Sequence, residues 1–278
     1  MKIKNIFVLC ATTLAFAACG SDTPVVTMKP SLPSSNDKPV TSITRRGSIE
    51  SAYDWKFVYN DGRLVSADGT LRDASPSVDG TFSYNSTFTY GANDVSLKSS
   101  TGENITLVLG AEGFIQKMLV NRNVYVFQYN YSGQLSGWSK QVFEESLGQI
   151  QQYNSSATIA YDEQGSLQKI EYKGIDNRKT ILTFTNGTRT NTNGIMPPTI
   201  ALEMGCIGFE QLYYAGLLGR PTRMLVNAIK YDYYDDSNNI SSTKTINFDY
   251  GFERGNVGSC NYRIYPSNEV ANVIYEYK

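Results

Sequence analysis

The chain has 278 residues, 25 Lys and Arg against 26 Asp and Glu, and no histidine. The missing histidine excludes Ser-His-Asp and Cys-His catalysis together with histidine metal ligation, and the scattered basic residues exclude a nucleic-acid face. Its 20 tyrosines and 12 phenylalanines, many on alternating runs, suffice for the core of one large β domain.

At the N-terminus Lys2 and Lys4 precede an apolar run, Ile6 to Ala18, that is too short to span a bilayer, so residues 1–18 read as a secretory signal peptide. The sequence Phe16-Ala17-Ala18-Cys19-Gly20 resembles the lipobox of bacterial lipoproteins. That resemblance implies an acylated Cys19 as first mature residue and an outer-membrane address in the cell envelope, on either face. The alternative is an ordinary signal with an incidental cysteine. Residues 19–51 hold Pro24, Pro30, Pro33 and Pro39 among polar residues without periodicity, as expected of a tether.

A single antiparallel β domain is expected over 52–278. Trp55, Phe57 and Tyr59 alternate with polar residues until Asn60-Asp61-Gly62, after which Leu64 opens a return strand. The form recurs at Phe88 and Tyr90, at Leu107 and Leu109, at Phe127 and Tyr129, at Ile159 and Tyr161, and, more worn, at Tyr231 and Tyr233. Each copy is an apolar residue, one spacer and usually a tyrosine. Polar turn residues ending in Gly or Asn follow, and then an aliphatic. The clearest is Ala157 to Tyr172, where Gly165 is expected to supply a positive φ. Asp162 and Glu163, an acid pair in this copy, stand where other copies carry different polar residues, so turn chemistry accounts for them. Repeated hairpins of this kind form a β-meander, which must curl, close or be covered to hide its edges.

The pattern breaks between Ile195 and Arg223. Pro197-Pro198 interrupts the chain, and Phe209, Leu212, Tyr213, Leu217 and Leu218 predict a short helix over 209–218 that stops at Gly219-Arg220-Pro221. The alternative places Tyr213 and Tyr214 on another strand. Of four cysteines, Cys10 leaves with the leader and Cys19 carries lipid. Cys206 and Cys260 then either form a disulfide or are two separate buried thiols.

Tyr214 to Pro221, the lipobox, the tether, the Tyr-Asp-x-x-Gly-x-Leu hairpins and the closing strand at 273–277 together resemble the Bacteroidetes lipoprotein family called domain of unknown function 4595. The hairpins are also similar to YD repeats. The family resemblance implies a many-stranded antiparallel sheet rolled into a porin-like, barrel-shaped form. It implies no activity and no catalytic residues.

Carboxylate chemistry needs only two Asp or Glu residues across a sugar, for which Glu144, Glu145, Glu203 and Glu210 are candidates. Consecutive residues of one strand point to opposite faces, so Glu144 and Glu145 could not pair there. Asp232, Asp235, Asp236, Asn238 and Asn239 would suit calcium or an Asx-rich turn equally in residue type, although the spacing departs from an EF-hand. Trp55, Trp138, Tyr213 and Tyr214 are candidates for stacking on a ligand. Trp138 is expected to be accessible between Gly137 and Ser139. With no phosphate loop and no dinucleotide fingerprint, no cofactor is expected. The expected function is a non-catalytic envelope lipoprotein, attached to the membrane through its lipid alone, that binds or scaffolds a glycan, peptide or protein. The alternative is a carboxylate-dependent glycoside hydrolase acting on surface polysaccharide.

Overall fold

A computed structural model describes residues 38–47, 51–73, 81–100, 102, 104–146, 149–197 and 209–278. Its strands are β1 (Val40–Gly47), β2 (Ser51–Asn60), β3 (Arg63–Asp73), β4 (Thr81–Tyr90), β5 (Asp94–Ser99), β6 (Asn104–Leu109), β7 (Ile115–Val120) and β8 (Asn123–Tyr129). They continue with β9 (Leu135–Ser146), β10 (Gln149–Tyr161), β11 (Leu167–Lys173), β12 (Lys179–Thr190), β13 (Met224–Tyr234), β14 (Ile240–Glu253), β15 (Asn256–Tyr265) and β16 (Val270–Tyr277). One described helix, α1 (Phe209–Tyr214), lies between β12 and β13. Each strand pairs antiparallel with its neighbours in sequence, and β1 pairs with β16 to close a barrel, Ile43 standing opposite Tyr275. The expected all-β meander rolled into a barrel is the architecture observed.

One boundary moves. Residues 40–47, expected in the tether, form the closing strand, because Val40, Ile43 and Arg45 turn inward while β2 and β16 pair on either side. Its single-strand pattern is obscured by the irregular register between Val40 and Ser42 and by the inward arginine.

The two-residue period of a strand decides which way the barrel is dressed. On β5, Val95 and Leu97 are buried while Asp94, Ser96 and Lys98 are exposed; on β16, Ala271, Val273 and Tyr275 are buried while Ile274 and Glu276 are exposed. Inward residues from every strand join one apolar cluster, with Leu64, Leu107, Ile115, Leu182, Ile229 and Tyr231 fully buried. A circular barrel of this size encloses an aqueous channel. Here the described inward side chains are buried, and Leu212, Tyr214, Leu217 and Leu218 from the connection between β12 and β13 join the same cluster. Even glycine placement follows this packing. Gly69 stands opposite Trp55, and a Cβ there would lie 2.6 Å from the indole ring.

The tyrosine of the repeat has a specific task. Beside several of these turns the register slips by one residue, which sets Tyr59 opposite Leu64, Leu109 opposite Ile115, Tyr129 opposite Leu135 and Phe252 opposite Val257, whereas Tyr90 meets Val95 with no slip. The carbonyl of the residue that opens the return strand is then taken by the tyrosine hydroxyl of the next hairpin. Tyr90 donates to Leu64 O (3.0 Å), Tyr129 to Ile115 O (2.8 Å), Tyr161 to Leu135 O (3.1 Å), Tyr250 to Val226 O (3.0 Å) and Tyr277 to Val257 O (2.6 Å). Tyr59 instead donates to Tyr214 O at the C-terminal end of α1, at 3.1 Å. These bonds tie many of the neighbouring hairpins together at one mouth of the barrel; the Leu109 copy has no hydroxyl to donate, and the Tyr231–Tyr233 copy turns at the opposite mouth.

The turns also behave as their residues require. Asp162 Oδ1 accepts from the backbone of Gln164 and Ser166, Asn130 Oδ1 from Ser132 and Gln134, and Asp235 Oδ1 from Ser237 and Asn239. Gly165 has φ of 84°, and Asn238 adopts 61° in the worn copy, filling the glycine's backbone role.

Removing one hydroxyl from this ring is expected to cost about 1 kcal/mol. Urea unfolding of Tyr161→Phe and Tyr90→Phe should show that loss, whereas Tyr131→Phe, whose ring is 99% exposed, should unfold like the parent. Burial also raises the phenol pKa of Tyr59, Tyr90, Tyr129, Tyr161, Tyr250 and Tyr277 above the ordinary 10.0. Above pH 10 the unfolded chain therefore loses protons that the folded chain keeps. Their stabilisation is complete below about pH 10 and declines as pH rises toward the folded values. A titration followed by tyrosinate absorbance should show these residues ionising together with loss of β structure. Gradual ionisation of an intact fold would contradict this.

Candidate functional site

Within the break in the repeat, residues 191–197 and 209–223 form a plug at the mouth where the tyrosine bonds lie. Asn191 turns the chain inward, its Oδ1 accepting from Ile195 N (2.8 Å) and its Nδ2 donating to Ile195 O (2.9 Å). Helix α1 ends earlier than its expected boundary at 218. Gly216, with φ of 75°, lets Leu217 N reach Leu212 O and Gly216 N reach Tyr213 O, which closes the helix one turn sooner. The returning chain is then sewn to the rim. Leu217 O accepts from Ile115 N, Arg220 N donates to Gly133 O, Arg223 N donates to Gly165 O, and Thr222 Oγ1 accepts from Leu167 N. Gln134, almost fully buried, donates from Nε2 to both Gly165 O (2.8 Å) and Pro221 O (3.1 Å).

The space beneath this plug is small. Leu135, Ile159, Tyr161, Met196, Tyr213 and Leu218 help line an apolar cavity of about 50 Å³, too little for a sugar ring. The aromatic candidates are likewise core residues. Trp138 is 3% exposed rather than accessible, because its strand parity points it inward opposite Phe127 and Ala157, where it meets Tyr172 at 5.9 Å. Trp55 is buried against Phe57 (5.8 Å). Tyr214 packs on Phe57 at 5.3 Å, and its hydroxyl accepts from Met196 N. Tyr213 is half-buried beside Tyr214, and burial raises its phenol pKa.

The carboxylates do not assemble a hydrolytic pair among the described residues. Glu210 lies on α1, and burial raises its pKa against the opposing effects of its own backbone amide and the inward Arg45 charge. The same Arg45 charge acts on Tyr262, which burial nevertheless raises to about 12. Glu144 and Glu145 are consecutive on β9, paired with Gln151 and Ile150; their side chains lie outside the described set, as do Glu203 and Cys206. Cys260 carries a fully buried thiol whose pKa burial raises strongly. The calcium candidates separate. Asp232 accepts from Lys230 and Thr243, Asp235 caps its turn, and Asp236 lies 3.7 Å from Arg178. Among the described residues no three acidic or cysteine groups converge on a metal-sized site.

Concavities large enough for a ligand lie at the rims and on the outer wall. One, of about 690 Å³, sits between the β11–β12 and β13–β14 turns, where Arg178 is shared by Asp176 (3.6 Å) and Asp236 (3.7 Å), while Lys179 covers the Tyr234 ring at 4.0 Å. Another, of about 580 Å³, runs over the outward face of β14, β15, β16 and β1. Strand register aligns Arg46 with Asn272, Asn272 with Asn261, and Asn261 with Asp249. The next row aligns Val270, Arg263 and Asn247, and Tyr265, two residues beyond Arg263 on β15, lines the groove opposite Thr245. Asn272 Nδ2 donates to Asn261 Oδ1 at 2.8 Å, and Arg46 forms two bonds with Asp54 at 2.8 and 2.9 Å. Pattern reading misses this surface because its residues stand singly on strands from both ends of the chain.

No family model matches this chain, and no curated protein matches it. Among solved structures it is similar to a porin-like protein from Bacteroides uniformis, with 19% identity and a TM-score of 0.65 over 86% of this chain and 98% of that one. A porin-like protein from Bacteroides vulgatus is similar over 87% of this chain and 99% of that one, with 14% identity and a TM-score of 0.56. These likenesses show the fold.

Gln134 carries the plug's attachment. Gln134→Leu removes the Nε2 donor from the Pro221 carbonyl and one of two donors from the Gly165 carbonyl, which keeps Arg223 N, at roughly 1–3 kcal/mol for a group left unsatisfied. The expected result is faster amide exchange at Leu217, Arg220 and Arg223, with the strands at the opposite mouth unchanged. Hydrogen–deuterium exchange of the folded protein measures it.

Proposed function

We propose that this chain is a non-catalytic protein of the bacterial cell envelope. It is anchored by a lipid on Cys19, holds its barrel in water beside the membrane, and binds or scaffolds a glycan or peptide partner there. The observation that carries the reading is the direction in which the barrel is dressed. A membrane-spanning barrel presents an apolar band about 25 Å tall, flanked by aromatic girdles, and keeps its polar residues inside. Here Lys56, Asp68, Lys98, Lys117, Lys169, Glu171, Lys230 and Arg263 are exposed on the wall, and the apolar side chains fill the interior. Outward charges placed in hydrocarbon would each cost about 2–4 kcal/mol at mid-bilayer for Lys and Arg. The described interior is filled by buried apolar side chains, and residues 209–223 are bonded across one mouth. The likeness to porin-like proteins therefore supports the fold without supporting conduction.

The envelope address rests on the signal peptide, the lipobox-like Cys19 and the 19–39 leader to β1. If the reading holds, the complete chain fractionates with membranes. A form in which an ordinary secretory leader is fused ahead of Gly20, removing the lipidation site, becomes soluble in the periplasm without detergent. Retention of the second form in membranes after a high-salt wash would instead mean that the barrel itself inserts.

A further inference from the structure

We infer that the outer groove across β14, β15, β16 and β1 is a binding site for an acidic polysaccharide strand, with Arg263 receiving the sugar carboxylate. This inference rests on the binding role proposed above and assigns it a place and a ligand class. Asn247, Asn261 and Asn272 each present a carboxamide, with a donor and an acceptor side by side, the pairing that vicinal sugar hydroxyls require. Register sets Asn261 and Asn272 side by side on adjacent strands, about 4.8 Å apart across the sheet and close to the length of one pyranose ring, with Asn247 in the next row opposite Arg263. Asp249 adds an acceptor at one end of the row. Tyr265, 40% exposed, supplies a face on which a ring can lie, and among the described residues it makes no ring contact.

Charge selects among glycans. Arg46 is already engaged by both oxygens of Asp54, whereas Arg263 is exposed and makes no ion pair among the described residues. Arg263 lies between Asn247 and Val270 in the second row, beside the amides, where a guanidinium can bind a carboxylate with two parallel bonds. The groove at the β11–β12 rim is poorer in both respects, since Arg178 faces two aspartates and Lys179 occupies the Tyr234 face. A peptide fits the outer groove less well. Extended peptides gain affinity by adding to an open sheet edge, and a closed barrel has none at this wall.

The test is calorimetry and array binding with the chain from Gly20 onward, using oligosaccharides of uronic acids, their neutral counterparts, and acidic peptides as probes. Uronic-acid oligosaccharides should bind, with affinity falling as salt rises. Arg263→Ala should weaken them about tenfold or more and abolish the preference over neutral sugars, and Tyr265→Ala should weaken both. Arg178→Ala, in the other groove, should leave binding unchanged. Uronic-acid binding that survives both Arg263→Ala and Tyr265→Ala in folded protein overturns this site while leaving the binding role intact. Selective binding of acidic peptides overturns the ligand class alone. Failure of the folded chain to bind any glycan or peptide overturns both the site and the role.

Discussion

The hydrogen bond from a tyrosine hydroxyl to the carbonyl that opens the preceding return strand is the contact on which the barrel's order depends. A hairpin carries its own turn and its own ladder, and a ladder to the next hairpin sets their register, but nothing within the hairpin itself secures the carbonyl left open where its return strand begins. The bond from Tyr90 to Leu64, from Tyr129 to Ile115 and from Tyr161 to Leu135 does this at one mouth. It requires a ring long enough to cross the one-residue slip and a donor at its tip. Phenylalanine has the ring without the donor. Where the geometry changes at β2, Tyr59 uses the same donor on the plug, so the ring of bonds also holds the segment that covers the mouth.

That arrangement commits the inside of the barrel to structure. Apolar residues from every strand fill it, Tyr214 and Leu217 of the plug join them, and the remaining cavity of about 50 Å³ is apolar. The same parity that dries the interior places amides, arginines and carboxylates on the outer wall. In this molecule the outside is where recognition chemistry is available, the reverse of a channel protein built on a similar sheet. The wall of this closed barrel is accordingly polar among the described residues. Closure removes the edges that would otherwise recruit another chain, and exposed lysines and glutamates cover the convex surface.

Much of the fold was legible because its units are local. Ala157 to Tyr172 shows strand, Asx turn, positive-φ glycine and return strand within one short stretch, and Asp162 performs the turn bonding that its residue type suggests. The strand at 40–47 was not legible, since it is ordered by pairing with β16 at the other end of the chain and includes a buried arginine. Helix α1 was readable as a helix but not in its length. Both Gly216 and Gly219 have positive φ, and only the bonds from Leu217 and Gly216 identify which one ends it. Trp138 reads as accessible from its small neighbours Gly137 and Ser139, yet accessibility on a strand depends on which face is turned inward, and that is set by Phe127 and Ala157 on the adjoining strands.

By itself, then, the sequence determined the repeated hairpin, the turn chemistry, the antiparallel class, the interruption near 195–223 and the absence of histidine-based catalysis. These follow from short-range periodicity, backbone preferences and composition, which need no partner segment. The tertiary structure alone decided that the sheet closes, that the aromatic candidates are core, and that Arg46, Asn272, Asn261 and Asp249 form one outward row. Those facts depend on register between strands distant in the chain. A shift of one residue would exchange the inward and outward faces, so no local pattern could carry them.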